Sequence, residues 1–223
     1  MIDMKNPSGI AGLDELMEGG FEEGSINLVT GKTGTGKSIF SAQFVYNGAK
    51  KYKEKGLYIT TGDTIKNIKK QSSKLGWDID ALEKEGTLKI VEVEPYDIEK
   101  LLENISIGKE MAQAKRVVID SISMFELYMQ DPYKIRKNLF SILQKLRDMG
   151  KTVVVVAEVP EDSKNLSRTG VIEFMVDSVI LLQYLGIAKC KRSLMIRKMR
   201  LTDHSSEIHP FEISTNGIKI LKV

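Results

Sequence analysis

The sequence predicts an α/β fold: a mostly parallel central sheet, covered by helices on both faces, that ends in antiparallel strands. Three observations carry that prediction. Apolar runs alternate with helical periods along most of the chain, the rhythm of strands joined by crossover helices. Most of these runs are continuously apolar rather than alternating, which suits strands buried on both faces. Beyond Ser178 the strand-like segments follow one another without a helix-length gap, which leaves hairpins as the connection.

The elements follow in order. Ile26 to Val29 is a strand, and Ser38 to Ala49 is the helix after it. Strands are expected at Leu57 to Thr60, Leu88 to Val93, Arg116 to Ile119 and Thr152 to Ala157. Helices are expected at Thr64 to Leu75, Asp97 to Ala114 and Pro132 to Met149, the last closed by Gly150. Four further strands are expected at Ser178 to Tyr184, Ser193 to Arg200, Glu207 to Ile213 and Ile218 to Val223, with Asn216-Gly217 turning between the last two.

Composition bounds the rest. At 223 residues the chain holds one domain, spanning 1–223, with a sizeable core. Lys and Arg number 33 against 30 Asp and Glu, an excess too small to demand nucleic acid as a partner. No apolar run reaches the roughly 18 residues of a membrane span, and Met1 to Lys5 lacks the apolar core of a signal peptide. A single cysteine, Cys190, excludes an intramolecular disulfide and fits a reducing, cytoplasmic setting. His204 and His209 have no ligand cluster around them that would make a metal site.

Between the first strand and its helix lies Gly31-Lys32-Thr33-Gly34-Thr35-Gly36-Lys37-Ser38, a G-x-x-x-x-G-K-[ST] phosphate loop running into Ile39. Its glycines permit positive φ and close backbone approach, and its amides and the helix N-terminus converge on one anion. Lys37 neutralises the β- and γ-phosphates of a nucleoside triphosphate, and the Ser38 hydroxyl completes a Mg²⁺ shell. A second acid must help hold that metal. Asp120 closes the apolar strand Arg116 to Ile119 where a doubly wound sheet opens its crevice.

These residues resemble a KaiC-type domain of the RecA superfamily. The likeness starts at Ser8-Gly9-Ile10-Ala11-Gly12-Leu13-Asp14-Glu15-Leu16 and Gly19-Gly20, and continues through the phosphate loop and Ser41 to Gly48. It includes Leu75-Gly76-Trp77-Asp78, Ile119-Asp120-Ser121, Thr169 to Phe174, Lys198-Met199-Arg200 and His209 to Ile213. The resemblance implies a RecA-like fold, ATP held at subunit interfaces, a homo-oligomer that is often a ring of six, and a single stand-alone domain rather than a tandem pair. Lys198 and Arg200, two apart on one strand face, would reach the γ-phosphate of the adjacent subunit. Met199, Thr202, His204, Ser214 and Thr215 match further nucleotide contacts, expected in trans. Leu201 replaces the usual glycine after the arginine, and Thr215 replaces a usual aspartate.

The departure with the largest consequence concerns the general base. KaiC-type domains carry two adjacent glutamates where this chain has Gly62 and Asp63. Asp63 is either a shorter base, which predicts slow hydrolysis, or the cap of the following helix. Glu158, after Thr152 to Ala157, is a second candidate acid. Autophosphorylation is not expected, because Glu173 and Phe174 stand where the family's autophosphorylating members carry serine and threonine. Three functions therefore stand open: a slow ring-forming ATPase, a nucleotide-binding assembly module with little hydrolysis and an unknown protein partner, and a recombinase-like DNA binder. The last would use Lys50, Lys51, Lys53 and Lys55 with Lys66, Lys69, Lys70 and Lys74, yet only Tyr52 offers a stacking ring among them.

Overall fold

A computed structural model describes residues 5–94, 113–129, 131–163, 165–187 and 190–221. Nine strands form one sheet in the order β11-β10-β9-β8-β3-β7-β6-β4-β5. They are β3 (Ile26–Gly31), β4 (Gly56–Thr60), β5 (Leu88–Glu92), β6 (Arg116–Asp120), β7 (Thr152–Glu158), β8 (Ser178–Ile187), β9 (Cys190–Met199), β10 (Ile208–Ser214) and β11 (Gly217–Ile220). A short antiparallel pair, β1 (Lys5–Asn6) with β2 (Phe21–Glu22), stands apart from it. Strands β3 to β8 are parallel neighbours, and β8 through β11 are antiparallel, as the loss of helix-length gaps predicts.

Alternation along each buried strand divides the core in two. Val29, Tyr58, Val118 and Val154 face one cluster, shared with Phe40 and Phe44 of α1 (Lys37–Tyr52), Ile68 of α2 (Ile65–Lys74), and Ile79 and Leu82 of α3 (Ile79–Lys84). Leu28, Val117, Ile119 and Val155 face the other. That cluster is completed by α4 (Ile122–Tyr128), α5 (Pro132–Asp148) and α6 (Ile172–Met175), with Leu139, Ile142 and Leu146 filling the gap beneath α5. Helices cover both faces, and the two-sided burial explains why these strands read as unbroken apolar runs.

The sequence reading placed the strands within a few residues of their observed bounds. Pro132 at the first turn of α5 has no amide to leave unpaired, and Asp131 caps it by accepting from Tyr133 N at 2.9 Å. Thr64, expected inside a helix, is instead the cap of α2, accepting from Asn67 N. Helices α3, α4 and α6 and the pair β1–β2 were not expected. Each is under eight residues, too short for a hydrophobic period to stand out. The helix expected over Asp97 to Ala114 lies, but for its last two residues, outside the described residues.

One buried cation fixes α1 over the sheet. Arg116, fully buried, donates from Nε to Glu54 at 2.7 Å and from Nη1 to the carbonyls of Pro7 and Phe44, and its guanidinium lies 4.8 Å from the Phe44 ring centroid. A Cβ on Gly48 would stand 2.3 Å from Arg116 Cδ, so the glycine is what lets β6 and α1 approach. The helix that begins at the phosphate loop is thereby held against the strand that ends at Asp120.

Candidate nucleotide site

Parallel register brings the chemistry to one edge. Gly31 pairs with Glu158, Val156 with Asp120, and Asp120 with Thr60, so the carboxyl ends of β3, β7, β6 and β4 line up along the opening of the sheet. Right after β3 the loop from Lys32 to Gly36 turns over, and α1 starts at Lys37. Gly34 sits at φ +76° with the Tyr184 hydroxyl 2.6 Å from where a Cβ would be, so neither its backbone angle nor its surroundings accept another residue. Thr35 is buried and ties the loop by donating to the Lys32 carbonyl at 2.9 Å.

Lys37 is buried, and its ammonium donates to the Lys32 carbonyl at 2.9 Å. Burial pushes its pKa down, against the pull of the Glu158, Asp120 and Glu161 carboxylates. Asp120 shows the converse: burial pushes its carboxyl pKa up, while hydrogen bonds from Tyr58 and Ser38 and the charge of Lys37 oppose the rise. Tyr58 donates to Asp120 Oδ2 at 2.6 Å. Ser38, Ile39, Tyr58, Asp63, Asp120 and Glu158 all line a cleft of about 230 Å³.

These groups suit magnesium. A hydroxyl and one carboxylate side by side form a hard-oxygen pair of the kind that holds Mg²⁺ through one or two protein ligands, waters and substrate phosphates. Among the described residues no cluster of three or more His, Cys, Asp or Glu offers an all-protein cage, which the same chemistry does not require.

Asp63 lines the cleft but its carboxylate is already engaged. Oδ1 accepts from Thr64 N at 2.8 Å and from Asn67 Nδ2 at 2.9 Å, and Oδ2 accepts from Gln71 Nε2 at 3.1 Å. The donors all belong to the start and one face of α2. Gly62, where a first glutamate was sought, has no side chain to offer. Glu158 is held by its backbone, which donates to Ser123 Oγ at 2.9 Å, and the charge of its carboxylate acts on Lys37.

Lys198 and Arg200 lie elsewhere. Lys198 pairs with Val179 and Arg200 N donates to Asp177 O, while Asp177 N donates to Ile26 O, at the opposite end of β3 from the loop. Four to five residues of strand separate the two levels, about 15 Å. Lys198 donates to the carbonyls of Glu173 and Val176 at 3.1 and 2.7 Å, and Arg200 stands 3.7 Å from Asp177. Both line a recess of about 500 Å³ with Phe174 and Leu166. Met199 packs into the core, Thr202 is tied to Lys5 and Glu22, and the buried Nδ1 of His204 has no partner among the described residues.

Ser214 and Thr215 lie apart from the Lys-x-Arg pair. They were expected to act in trans beside the Lys-x-Arg pair, but the antiparallel return of β10 carries them to the other end of the sheet. There Ile213 Cδ1 comes within 3.1 Å of the Cβ position of Gly36, and Thr215 O within 3.5 Å of that of Gly76. Ser214 and Thr215 thus lie on the phosphate-loop side of this chain, at the opposite end of the sheet from Lys198 and Arg200.

Three site residues escaped the sequence reading. Tyr58 reads as an apolar strand residue, and its partner lies 62 positions away. Tyr184 and Arg192, on the β8–β9 hairpin, both donate to Gly34 O, at 2.7 Å and at 3.2 to 3.3 Å. Arg192 also stacks over the Tyr184 ring at 5.2 Å. Strand spacing puts Tyr184 opposite Arg192, but nothing local announces that the pair reaches the loop.

A glycine-rich phosphate loop at the carboxyl edge of a mostly parallel sheet, with its acid on the next strand but one, defines an α/β phosphate-loop domain of the RecA type. The family described as "ATPase: KaiC" matches residues 6–223, and the chain belongs to this KaiC ATPase family. A solved structure of a KaiC-like protein from the archaeon Pyrococcus horikoshii OT3 superposes with a TM-score of 0.89 and 40% identity, covering 98% of this chain and 99% of that one. The UPF0273 protein of Thermotoga maritima is 38% identical over 96% of this chain and 94% of its own length. The circadian clock oscillator protein KaiC of Parathermosynechococcus lividus is 35% identical over 97% of this chain but only 42% of its own length. The chain thus spans less than half of the clock proteins it matches.

Proposed function

We propose that the chain is one ATP-binding domain over 1–223 that binds ATP and ADP with Mg²⁺, hydrolyses ATP slowly, and works as a homo-oligomer with nucleotide between subunits. The observation that carries the reading is the meeting of Ser38, Asp120 and Glu158 in the cleft behind the phosphate loop, with the buried Lys37 ammonium in the field of both carboxylates. In it Lys37 and the loop amides hold the triphosphate, Ser38 and Asp120 hold the magnesium, and Ser214 and Thr215 border the base side. Bound Mg²⁺ supplies charge neutralisation at the β- and γ-phosphates. Lys198 and Arg200, remote from the chain's own loop and beside exposed Phe174 and Leu201, suit contact with a neighbour's γ-phosphate in a hexameric ring. Thr202 and His204 lie on that same side.

Slow turnover follows from the base. Position 62 has no carboxylate and Asp63 is bound by α2, so the attacking water lacks a dedicated acceptor. That engagement also favours a second reading, a nucleotide-binding assembly module with negligible hydrolysis and a protein partner. The measurement that separates them is Mg²⁺-dependent phosphate release from ATP by the purified chain against Lys37→Ala. Release above the variant supports the slow ATPase; ATP binding without it supports the assembly module. DNA binding is not part of this reading, since Lys69 is already paired with Asp80 and Glu83. A cytoplasmic setting is, on the strength of the single cysteine; among the described residues no helix is long and apolar enough to cross a membrane.

A further inference from the structure

Tyr58 is the feature of the cleft that neither the phosphate-loop motif nor the acid at the end of β6 calls for. It stands on β4, paired with Val118, and Asp120 lies two places further along the partner strand. Residues two apart share a face, so the phenol and the carboxylate meet diagonally across the β4–β6 pair. The ring is 2 % exposed, yet the hydroxyl points toward the cleft and donates to Asp120 Oδ2 at 2.6 Å. A leucine or phenylalanine would fill the same space without this bond.

The hydroxyl has a second neighbour that ties it to the loop. Ser41 Oγ lies 3.5 Å from it and itself donates to the carbonyl of Ser38 at 3.1 Å. Ser38 lines the same cleft as Asp120, near enough for its hydroxyl to draw the carboxyl pKa down. The four residues therefore form a chain of contacts that runs from β6 through β4 to the first turn of α1. A buried carboxylate with one free oxygen has two soft torsions and no solvent to hold it; occupying Oδ2 leaves Asp120 one orientation, with Oδ1 turned away from the phenol.

We propose that Tyr58 is a positioning residue for the magnesium-side acid, locking Asp120 in the rotamer that the metal and its waters require. The proposal rests on the Mg²⁺–nucleotide reading of the cleft. Tyr58 touches neither nucleotide nor metal in this scheme and acts through Asp120 alone. Outer partners of metal-holding groups change metal affinity by about 10- to 100-fold when removed. The effect must then appear in the magnesium requirement, and not in the affinity for metal-free nucleotide, which the loop and Lys37 supply.

The test is titration of the parent and Tyr58→Phe with a fluorescent N-methylanthraniloyl ATP, first in EDTA and then at increasing Mg²⁺. The expected result is equal affinity in EDTA and a half-saturating Mg²⁺ concentration about tenfold higher in the variant. Melting of the ligand-free variant should stay within about 4 °C of the parent, the scale of one lost hydrogen bond in a chain of this size. An unchanged Mg²⁺ requirement overturns the proposal. So does a variant that fails to fold, since the hydroxyl would then be structural rather than positioning. A parent that binds the probe with no dependence on Mg²⁺ removes the underlying reading instead, a result distinct from either of these.

Discussion

At the carboxyl edge of the sheet, Lys37 is buried and rests on a loop carbonyl, and Asp120 already accepts from Tyr58. At the amino edge, the Arg200 side chain is 53 % exposed, with Phe174 at 74 % and Leu201 at 89 % exposure close by. The first cluster is preorganised inside one chain, and its charges are desolvated before any ligand arrives. The second presents cations and apolar surface together, a combination that a free monomer keeps in water at a cost and an interface removes. Leu201 takes φ +62°, an uncommon angle for a branched residue, directly after that arginine. What the difference teaches is that the two edges are prepared differently: one holds its charges desolvated inside the fold, and the other leaves cations and apolar side chains in water, which suits the proposed contact with a second copy.

Removing Arg200 is the sharpest way to break the comparison. Arg200→Ala should lower phosphate release about 10³-fold, the scale of an arginine finger, with nucleotide affinity nearly unchanged. Mixing the variant with Lys37→Ala chains should restore part of the activity, because each supplies the edge the other lacks. A parallel loss of affinity, or no rescue on mixing, would mean that Arg200 acts within its own chain.

Lys37→Ala attacks the other edge. Binding of ATP should weaken about 10²-fold, as expected when one partner of a desolvated charged contact is truncated. The circular dichroism spectrum should stay that of the parent, because among the described residues the ammonium bonds a loop carbonyl and no other group. Equilibrium titration with labelled ATP reads the change directly.

Much of this contrast is written in the sequence, and the part that is not has a physical reason. The loop from Gly31 to Ser38 and the acid Asp120 are legible because each is a local event, a turn or a strand end with its own composition. The parallel strands are legible because two-sided burial leaves continuous apolar runs such as Val153 to Ala157. Tyr58 on Asp120 and Arg192 on Gly34 are not legible, since both contacts join residues dozens of positions apart and only the sheet order makes them neighbours. The separation of Ser214 and Thr215 from Lys198 and Arg200 is not legible for the same cause: strand direction, not spacing, decides which end of the sheet a hairpin tip reaches.

Asp63 sharpens the comparison at smaller scale. Asp63→Asn should reduce phosphate release by less than about tenfold, because the asparagine oxygen still accepts from Thr64 N and Asn67 Nδ2 and only the bond from Gln71 Nε2 is lost. A true general base would cost about 10²- to 10⁴-fold. Steady-state turnover at saturating Mg²⁺ and ATP distinguishes the two, and a large loss would restore Asp63 to the chemistry.

The smallest expected effect lies at Glu126 on α4, the helix that follows Asp120. This side chain is 4 % exposed; its Oε1 accepts from Thr169 and its Oε2 has no partner among the described residues. Burial pushes its pKa up, ahead of the hydrogen bond from Thr169, the repulsion from Glu173, the attraction of Arg168 and the hydrogen bond from Ser123. A carboxyl whose folded pKa exceeds its unfolded one binds its proton more tightly when folded. Its contribution to stability is therefore present at low pH and is lost as pH rises from the ordinary value of 4.5 through the raised one. Glu126→Gln keeps the shape and cannot ionise, so it should remove that part of the slope. Denaturant midpoints measured from pH 4.5 upward should fall less steeply in the variant, and the variant should match or exceed the parent at neutral pH. Identical slopes would show that Glu126 stays ionised in the folded chain, its second oxygen satisfied by water.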